Sequence, residues 1–278
     1  MSEAASIEQA SGKDRGDENF PVGSWLIRAG LRRHVHAYYA FARNADDIAD
    51  HPDLAPAEKI ARLDAMEAVL DGDDPARSPS AARLRESLAA TKVDSVHARE
   101  LLVAFRQDAT KTRYASWDEL MQYCRYSAAP VGRYVLDLHG EGRQSWPASD
   151  ALCASLQVLN HLQDCAKDFN ALDRSYIPGD WLQAVGLGPD AVTAAATPPA
   201  LRSVFDAMLQ RTAELNAKAA HLPGFVMARG LRIETAIIVG LARRLHRRLS
   251  NEDPLAGRVK LLRRDAAGAV LAGLARLV

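Results

Sequence analysis

The sequence predicts an all-α protein, a helical bundle built around a central cavity. Apolar residues recur at three- and four-residue spacing through most of its 278 residues, as they do on the buried face of an amphipathic helix. No segment shows the two-residue alternation of a half-buried β-strand. The breaks between helical segments are short and rich in turn residues, and long helices with short connections pack as a bundle.

Eight segments carry the helical pattern, and the turn residues between them mark their order. The segments are 25–50, 56–71, 80–91, 94–107, 116–138, 149–172, 200–220 and 227–250. The stretch 71–80 separates the second segment from the third, and 140–149 separates the fifth from the sixth. Residues 177–180 and 197–199 follow the sixth, and 222–224 divides the last two.

No linker or internal repeat divides the chain, so we predict a single all-α domain over 18–278. The preceding residues, 1–17, are polar and are predicted to form a disordered N-terminal tail. They lack the apolar region of a signal peptide, and no apolar run in the chain reaches the roughly 18 residues that span a bilayer. These features predict a cytoplasmic protein.

Composition and absent motifs narrow the function. Lys plus Arg and Asp plus Glu both number 35, so net charge gives no argument for a nucleic-acid partner. Three widely spaced cysteines, Cys124, Cys153 and Cys165, fit neither a disulfide framework nor a zinc site. The sequence lacks a dinucleotide fingerprint and a phosphate-binding P-loop, and it lacks the motifs of serine hydrolases and zinc proteases.

Two aspartate pairs are the most informative feature of the chain. Asp46 and Asp50 lie in the first helical segment, and Asp164 and Asp168 lie in the sixth. Residues four apart share one face of a helix, so each pair directs two carboxylates to the same side. Polar residues on earlier turns extend both stripes: Tyr39 and Arg43 before the first pair, Gln157 and Asn160 or His161 before the second.

The spacing alone leaves two interpretations open, a metal site or two solvated acidic helix faces. The residues around the aspartates favour the metal site, because neighbours such as Tyr38, Phe41 and Leu159 are typical of buried helices. Buried carboxylates cost free energy unless they are paired or bind a cation. Carboxylates on two facing helices would suit Mg²⁺ that also holds a diphosphate. We therefore predict that the four aspartates bind Mg²⁺.

From about Glu18 to Lys260 the chain resembles the squalene and phytoene synthase family, whose motifs occur here in the same order. Residues 43–50, RNADDIAD, are similar to the first aspartate motif of that family, and residues 157–168 are similar to the second. Residues 123–128, YCRYSA, resemble its Tyr-Cys segment. The resemblance implies a helical bundle of the isoprenoid (terpenoid) synthase type.

The resemblance also implies roles for individual residues. The implied catalytic and metal-binding residues are the four aspartates Asp46, Asp50, Asp164 and Asp168. Tyr123 is an implied catalytic residue that shuttles a proton or stabilises a cation. Contacts with a prenyl diphosphate substrate are implied for Asn19, Phe20, Tyr39, Arg43, Ser127, Gln157, Asn160, Arg174 and Tyr176.

Four segments point to one branch of the family. Residues 18–22, 105–108, 127–132 and 253–258 resemble the HpnC type, the hydroxysqualene synthases of bacterial hopanoid pathways. For that branch the implied reaction is the Mg²⁺-dependent conversion of presqualene diphosphate and water to hydroxysqualene, with release of diphosphate. The enzyme would be a diphosphate-releasing carbon–oxygen lyase within a family of prenyl transferases, and no NADPH is expected.

The second aspartate motif departs from the usual Arg-Asp-x-x-Glu-Asp pattern at two positions. Gln163 stands where the family has Arg, and Lys167 stands where it has Glu. Lys167 is adjacent to Asp168, so on a helix its side chain points about 100° away from the aspartate and is predicted to be solvated. The exchange removes position 167 as a metal ligand.

The implied substrate suggests a mechanism. Mg²⁺, Arg43 and Arg174 would neutralise the leaving diphosphate, and a carbocation would remain in an apolar pocket. Tyr123 would position the capturing water or relay its proton. Cation–π contacts or simple core packing are the two interpretations of the aromatic residues Phe20, Tyr38, Phe41 and Tyr126.

Three alternatives remain open. The same fold can condense two farnesyl diphosphates head to head, giving presqualene diphosphate, squalene or a carotenoid precursor. A helical assembly factor without catalytic activity is the second alternative, because the motif is altered at Gln163 and Lys167. The third is an unrelated all-α Mg²⁺-dependent phosphohydrolase that cleaves short soluble diphosphates.

Substrate and product would be C30 lipids, so peripheral contact with the inner face of the membrane is expected, and other hopanoid-pathway enzymes are candidate partners. Arg258, Lys260, Arg263 and Arg264 precede an apolar tail at 266–278. Basic residues followed by an apolar helix suit binding at a membrane surface. The alternative is that the tail packs as a final helix on the bundle.

Overall fold

The computed structural model describes residues 6–8 and 26–274 of the chain. Its α-helices are α1 (Ala29–Ala49), α2 (Pro56–Asp71), α3 (Pro79–Thr91), α4 (Val96–Asp108), α5 (Trp117–Ser127), α6 (Ala129–Leu138), α7 (Trp146–Leu172), α8 (Gly179–Ala184), α9 (Pro199–Ala219), α10 (Leu222–Phe225), α11 (Arg229–Asn251) and α12 (Arg263–Leu274). Short 3₁₀ helices form at Arg143–Ser145 and Pro189–Thr193. Within the described ranges there is no β-strand, only an isolated bridge between Arg113 and Ser175. The all-α prediction is confirmed there.

The prediction of one continuous helix over 116–138 is wrong. The chain forms α5 and α6 instead, divided at Ala128, whose φ of −125° and ψ of −47° lie outside the usual helical range. Pro130 follows at once. Its ring removes a backbone donor, which is tolerated in the first turn of α6 but not inside a longer helix. The short helices α8 and α10 span too few turns for a sequence period to reveal them.

The described chain forms two compact units. Unit 1 comprises residues of 1–111 together with 133–140, and in it α1 packs against α2, α3 and α4. Phe41, Leu63 and Met66 lie fully buried in its core. The Tyr38 and Tyr134 rings stack with their centroids 4.0 Å apart. Burial of this apolar surface holds α1, and therefore its acidic end, in a fixed position.

Unit 2 comprises residues of 112–132 and 141–278. The 27-residue helix α7 is its longest element, and α5, α9 and α11 pack against it. Its buried face includes Leu159 and Leu162, which are almost fully removed from solvent. That face fixes the direction of the opposite, polar side of α7. The prediction of a single domain over 18–278 stays a prediction.

Residues 6–8 belong to the segment predicted as an N-terminal tail, and they contact the beginning of α3. Glu8 accepts hydrogen bonds from the hydroxyl groups of Ser78 and Ser80, each at 2.6 Å, and from the Ser80 N–H at 2.9 Å. A carboxylate at a helix N-terminus is favoured by the helix dipole. The rest of 1–17 lies outside the described residues.

The C-terminal helix α12 packs on α11. Ala269 is fully buried, and its Cβ would lie 3.3 Å from a Cβ placed on Gly240, so the two helices approach closely where Gly240 lacks a side chain. Arg248 on α11 donates to Asp265 on α12 at 2.7 Å. The packing alternative for the tail is thus confirmed for α12. Among the described residues, no helix is both long enough and apolar enough to cross a membrane.

Candidate active site

The first aspartate pair lies at the C-terminal end of α1, in unit 1. Asp46 is in the last turn, and Asp50 follows the helix with its N–H donating to the Asp46 carbonyl oxygen at 2.8 Å. Tyr39, Arg43 and both aspartates are partly exposed, whereas Phe41 between them is fully buried. The predicted polar stripe is therefore present on α1. A helix C-terminus carries partial negative charge, which favours a cation beside these carboxylates.

Arg43 is held by acidic residues of its own helix. Its Nη1 lies 3.2 Å from Asp46 Oδ2, and its Nη2 donates to Asp47 Oδ1 at 2.8 Å. The Nε of Arg43 is buried and has no hydrogen-bond partner among the described residues. The guanidinium group is thus fixed in direction by two carboxylates and retains one donor for a further acceptor.

The Asp46 carboxyl group is surrounded by other carboxylates. Burial and the negative charge of Asp50 raise its pKa from 3.8 to about 7, and Asp108 and Asp47 add to the rise against the opposing charge of Arg43. Its side chain nevertheless keeps 36% of its surface exposed, so the group is open on one side. A crowded, partly open set of carboxylates with too little positive charge fits a divalent cation.

Asp108 is an acidic residue of this half that the sequence motifs did not assign to the site. It ends α4 and is only 6% exposed. In the sequence, Asp108 could be recognised only as an acidic residue at the end of a helix whose apolar face includes Phe105. Its negative charge acts on Asp46 at a distance, so it belongs to the electrostatic surroundings of the pair.

The second aspartate pair lies on α7, in unit 2. Gln157, Asn160, Asp164 and Asp168 are partly exposed, and the residues on the opposite side of the helix are buried. This stripe matches the prediction. Lys167 is exposed, as its position next to Asp168 predicted.

Asp164 is paired with an arginine that the sequence motifs placed elsewhere. Arg258 Nε lies 3.0 Å from Asp164 Oδ1, and Arg258 Nη2 donates to Asp164 Oδ2 at 3.2 Å. The sequence predicted Arg258 as one of the basic residues that contact a membrane. Each aspartate pair therefore has one carboxylate in contact with a guanidinium group, Asp46 with Arg43 and Asp164 with Arg258.

Gln163 explains how Arg258 reaches this position. Its side chain is 4% exposed, and its Nε2 donates to the backbone carbonyl of Val259 at 2.6 Å. The residue that departs from the family motif thus attaches the C-terminal segment to α7. A neutral amide suits this buried place, where a charged side chain would lose its hydration.

A cluster of aromatic and basic residues lies beside α7 in unit 2. The Tyr123 and Tyr176 hydroxyl oxygens are 3.5 Å apart, and Arg174 Nη1 donates to the Tyr176 hydroxyl at 3.2 Å. Tyr114 stacks on Tyr176, with ring centroids 5.4 Å apart. Three residues with implied roles, Tyr123, Arg174 and Tyr176, are thereby brought together. All three are at most 7% exposed.

Two further polar atoms of unit 2 are buried without a hydrogen-bond partner among the described residues, Ser127 Oγ at the end of α5 and His161 Nε2 on α7. Burial and the positive charge of Arg174 lower the pKa of His161 from 6.5 to about 3, so its imidazole is neutral at physiological pH. Such atoms cost free energy unless a ligand or water satisfies them.

The remaining site predictions have different outcomes. Asn19 and Phe20 lie outside the described residues. Tyr38 and Phe41 are 3% and 0% exposed in the core of unit 1, so core packing accounts for them. In neither unit do three or more His, Cys, Asp or Glu side chains among the described residues form a group that would hold a metal ion alone. That the two aspartate pairs face each other stays a prediction.

Comparisons with known proteins agree with these features. The family model described as squalene/phytoene synthase matches residues 13–265. A hydroxysqualene synthase of Rhodopseudomonas palustris is 46% identical over 254 residues, which are 91% of this chain and 87% of the relative. A hydroxysqualene synthase of Zymomonas mobilis is 41% identical over 270 residues, 96% of this chain and 91% of the relative.

Solved structures show the same relationship. The crystal structure of squalene synthase HpnC from Alicyclobacillus acidocaldarius is similar to this chain with 30% identity and a TM-score of 0.69, covering 83% of this chain and 88% of that one. A dehydrosqualene synthase solved with a ligand has a TM-score of 0.77 and covers 94% of this chain and 92% of its own. At 17% identity, the second likeness concerns the fold alone.

Proposed function

The chain belongs to the squalene and phytoene synthase family, and from that premise we propose that it converts presqualene diphosphate and water to hydroxysqualene with release of diphosphate. The observation that carries the proposal is its 46% identity, over 91% of its length, to a protein named hydroxysqualene synthase. The paired aspartates and the buried Tyr123, Arg174 and Tyr176 cluster provide side chains suited to that chemistry.

Positive charge is the first requirement, because the C–O bond to diphosphate breaks only if the departing negative charge is stabilised. Arg43 has a free Nε donor, and Arg174 lies against the Tyr176 hydroxyl in a buried setting where a charge-assisted hydrogen bond is strong. Arg258, fixed on Asp164, would add a third guanidinium group. These residues would bind and orient the diphosphate.

Mg²⁺ is the proposed metal, and Asp46 and Asp50 would be its principal protein ligands, with Asp164 and Asp168 on the second helix. When bound, the ion would act as a Lewis acid on the diphosphate oxygens. The raised pKa of Asp46 supports this assignment, because it reflects burial of the carboxyl group together with the negative charge of Asp50. Lys167, which is adjacent to Asp168 in the sequence, adds a positive charge near the second aspartate pair.

Purified protein incubated with presqualene diphosphate and Mg²⁺, without NADPH, tests the proposal. Mass spectrometry should detect hydroxysqualene and an equal amount of diphosphate, and in ¹⁸O-labelled water the product should carry the label. Added NADPH should not change the product. Removal of Mg²⁺ with EDTA should slow diphosphate release about tenfold or more. An unchanged rate would contradict the metal assignment.

The alternatives give different results in the same experiment. Products formed from farnesyl diphosphate alone would identify a head-to-head condensing enzyme, and squalene formed only with NADPH would identify a reducing one. A protein that converts none of the prenyl diphosphates would be identified as an assembly factor. The unrelated phosphohydrolase is already ruled out, because the family model matches residues 13–265.

We also propose that the protein acts at the inner face of the membrane as a peripheral protein. A cleft of about 240 Å³ lies between α11 and α12, lined by Arg244, Arg247, Arg248, Asn251, Glu252, Arg264 and Asp265. The lining therefore contains four guanidinium groups and two carboxylates. Leu262 and Leu271, close in sequence to Arg264, are 43% and 69% exposed. Positive charge beside exposed apolar residues suits an anionic lipid surface.

A further inference from the structure

We propose that His161 holds the water molecule that captures the carbocation, with its Nε2 accepting a hydrogen bond from that water. The inference rests on the proposed conversion of presqualene diphosphate to hydroxysqualene. It assigns a function to a residue that lies within the second aspartate motif but is not one of its aspartates, Asp164 being one turn further along α7.

The ring of His161 is fixed in position by its neighbours. It stacks on Tyr176 with centroids 3.5 Å apart and an angle of 15° between the planes. The Tyr123 ring lies 6.1 Å away, and Tyr123 and Tyr176 approach each other through their hydroxyl groups. A ring packed in this way has little freedom to rotate, so the direction of its nitrogen atoms is set before a ligand binds.

The Nε2 atom needs a partner that the described residues do not supply. His161 is 8% exposed, and no described residue forms a hydrogen bond with Nε2. Leaving a buried polar atom unpaired costs free energy, so a packing role alone would be better served by an apolar side chain. The chemical partner that suits a buried acceptor nitrogen in a cluster that also contains the Tyr123 and Tyr176 hydroxyl groups is a water molecule.

The charge state of the ring supports this assignment. Burial and Arg174 keep the imidazole neutral, with a pKa of about 3. A neutral imidazole can present one nitrogen lone pair as an acceptor. It adds no positive charge that would repel a carbocation. It also releases a proton readily, because burial and the charge of Arg174 disfavour the imidazolium form.

The reaction balances without another reactant. The C–O bond to diphosphate breaks with its electron pair on the diphosphate oxygen. The cyclopropylcarbinyl cation that remains rearranges, and a C–C bond of its three-membered ring breaks. The water oxygen then donates a lone pair to the rearranged cationic carbon, forming the C–O bond of the alcohol. The second proton of that oxygen passes to His161 Nε2 and from there to the departing diphosphate, which leaves as hydrogen diphosphate. His161 is regenerated, and no reductant is consumed.

The test measures how the carbocation is distributed between products. His161→Phe keeps an aromatic ring to stack on Tyr176 but has no nitrogen. We expect diphosphate release within about threefold of the unaltered protein, and a share of hydroxysqualene among the C30 products reduced about tenfold or more. Alkenes formed by proton loss should replace it. His161→Gln, whose side-chain oxygen can accept from water, should retain an intermediate share.

A matched control separates this effect from a general loss of structure. His246→Gln alters a histidine whose Nε2 already bonds to the Leu209 carbonyl oxygen at 2.9 Å, and it should leave the product distribution unchanged. If His161→Phe does not fold, the share of hydroxysqualene formed by His161→Gln tests the proposal instead. An unchanged hydroxysqualene share in whichever folded variant is measured would overturn the assignment of His161. Absence of hydroxysqualene from the unaltered protein would instead overturn the proposed function.

Discussion

Arg258 and Asp164 form a two-point ion pair, with Nε 3.0 Å from Oδ1 and Nη2 3.2 Å from Oδ2. The two residues are separated by 94 positions, and the pair connects the segment after α11 to the polar face of α7. A planar guanidinium group matched to a carboxylate in this way is fixed in orientation. Asp164 is therefore paired with a cation from a distant part of the chain, whereas Arg43, which contacts Asp46, lies on the same helix as its partner.

The first prediction concerns this pair. Arg258→Gln should lower the rate of diphosphate release about tenfold or more, because a positive charge next to Asp164 and the proposed diphosphate site is lost. Stability should change little, since Arg258 is 45% exposed and exposed ion pairs contribute about 0–1 kcal/mol. Steady-state rates and thermal unfolding would be measured. Lys260→Gln, also an exposed cation of this segment, is the control. Equal rates for both variants would count against a role for Arg258.

The second prediction separates function from stability at Asp46. Asp46→Asn should lower turnover about a hundredfold or more through loss of a proposed metal ligand. Because the folded-state pKa of Asp46 is raised from 3.8 to about 7, its contribution to stability is present below about pH 4 and is lost as pH rises through 7. The metal-free variant should therefore be more stable than the unaltered protein at pH 8, and equally stable below pH 4.

Solvent screening limits the difference in stability between Asp46→Asn and the unaltered protein. Asp46 is 36% exposed, so we expect about 1 kcal/mol, or about 2–4 °C in the Tm of the metal-free protein. Asp53→Asn, at an exposed position just after α1, serves as the control for charge alone. Loss of the fold in Asp46→Asn would show that the carboxylate is structural. Near-normal activity of the variant would show that Asp46 is not a metal ligand.

The third prediction concerns Gln163. Gln163→Leu is close in size but leaves the Val259 carbonyl oxygen without its 2.6 Å donor. An unsatisfied buried carbonyl costs about 1–3 kcal/mol, so the Tm should fall by about 2–10 °C. Diphosphate release should also slow, because the segment that carries Arg258 loses its attachment to α7. An unchanged Tm and an unchanged rate would show that the hydrogen bond does not position the segment that carries Arg258.

The fourth prediction concerns the arginine cleft. Arg244→Gln combined with Arg247→Gln should weaken flotation with anionic liposomes about tenfold or more, since each cation near such a surface contributes about 1 kcal/mol. Arg83→Gln combined with Lys218→Gln removes the same charge from exposed positions elsewhere and should float like the unaltered protein. Equal flotation of both double variants, or none on anionic vesicles by the unaltered protein, would refute the cleft as a membrane contact.

Features that depend on neighbours within one helix can be predicted from the amino-acid order alone. The all-α fold follows from hydrophobic periodicity. The partly exposed faces that carry Asp46 on α1 and Asp164 on α7 follow from four-residue spacing beside buried residues. The order of the motifs was sufficient to predict the family that residues 13–265 match. Each of these features is local, or is a string of local features in a fixed order.

Contacts between residues that are distant in sequence depend on how the helices pack. Arg258 pairs with Asp164 and Gln163 bonds to Val259, which lies 96 positions away; no periodicity encodes either contact. His161 occupies a turn of α7 that its spacing predicted, but its unpartnered nitrogen depends on how Tyr176 packs against it. Long-range contacts are set by the packing of whole helices, and the free energy of a buried polar atom depends on every neighbour that surrounds it.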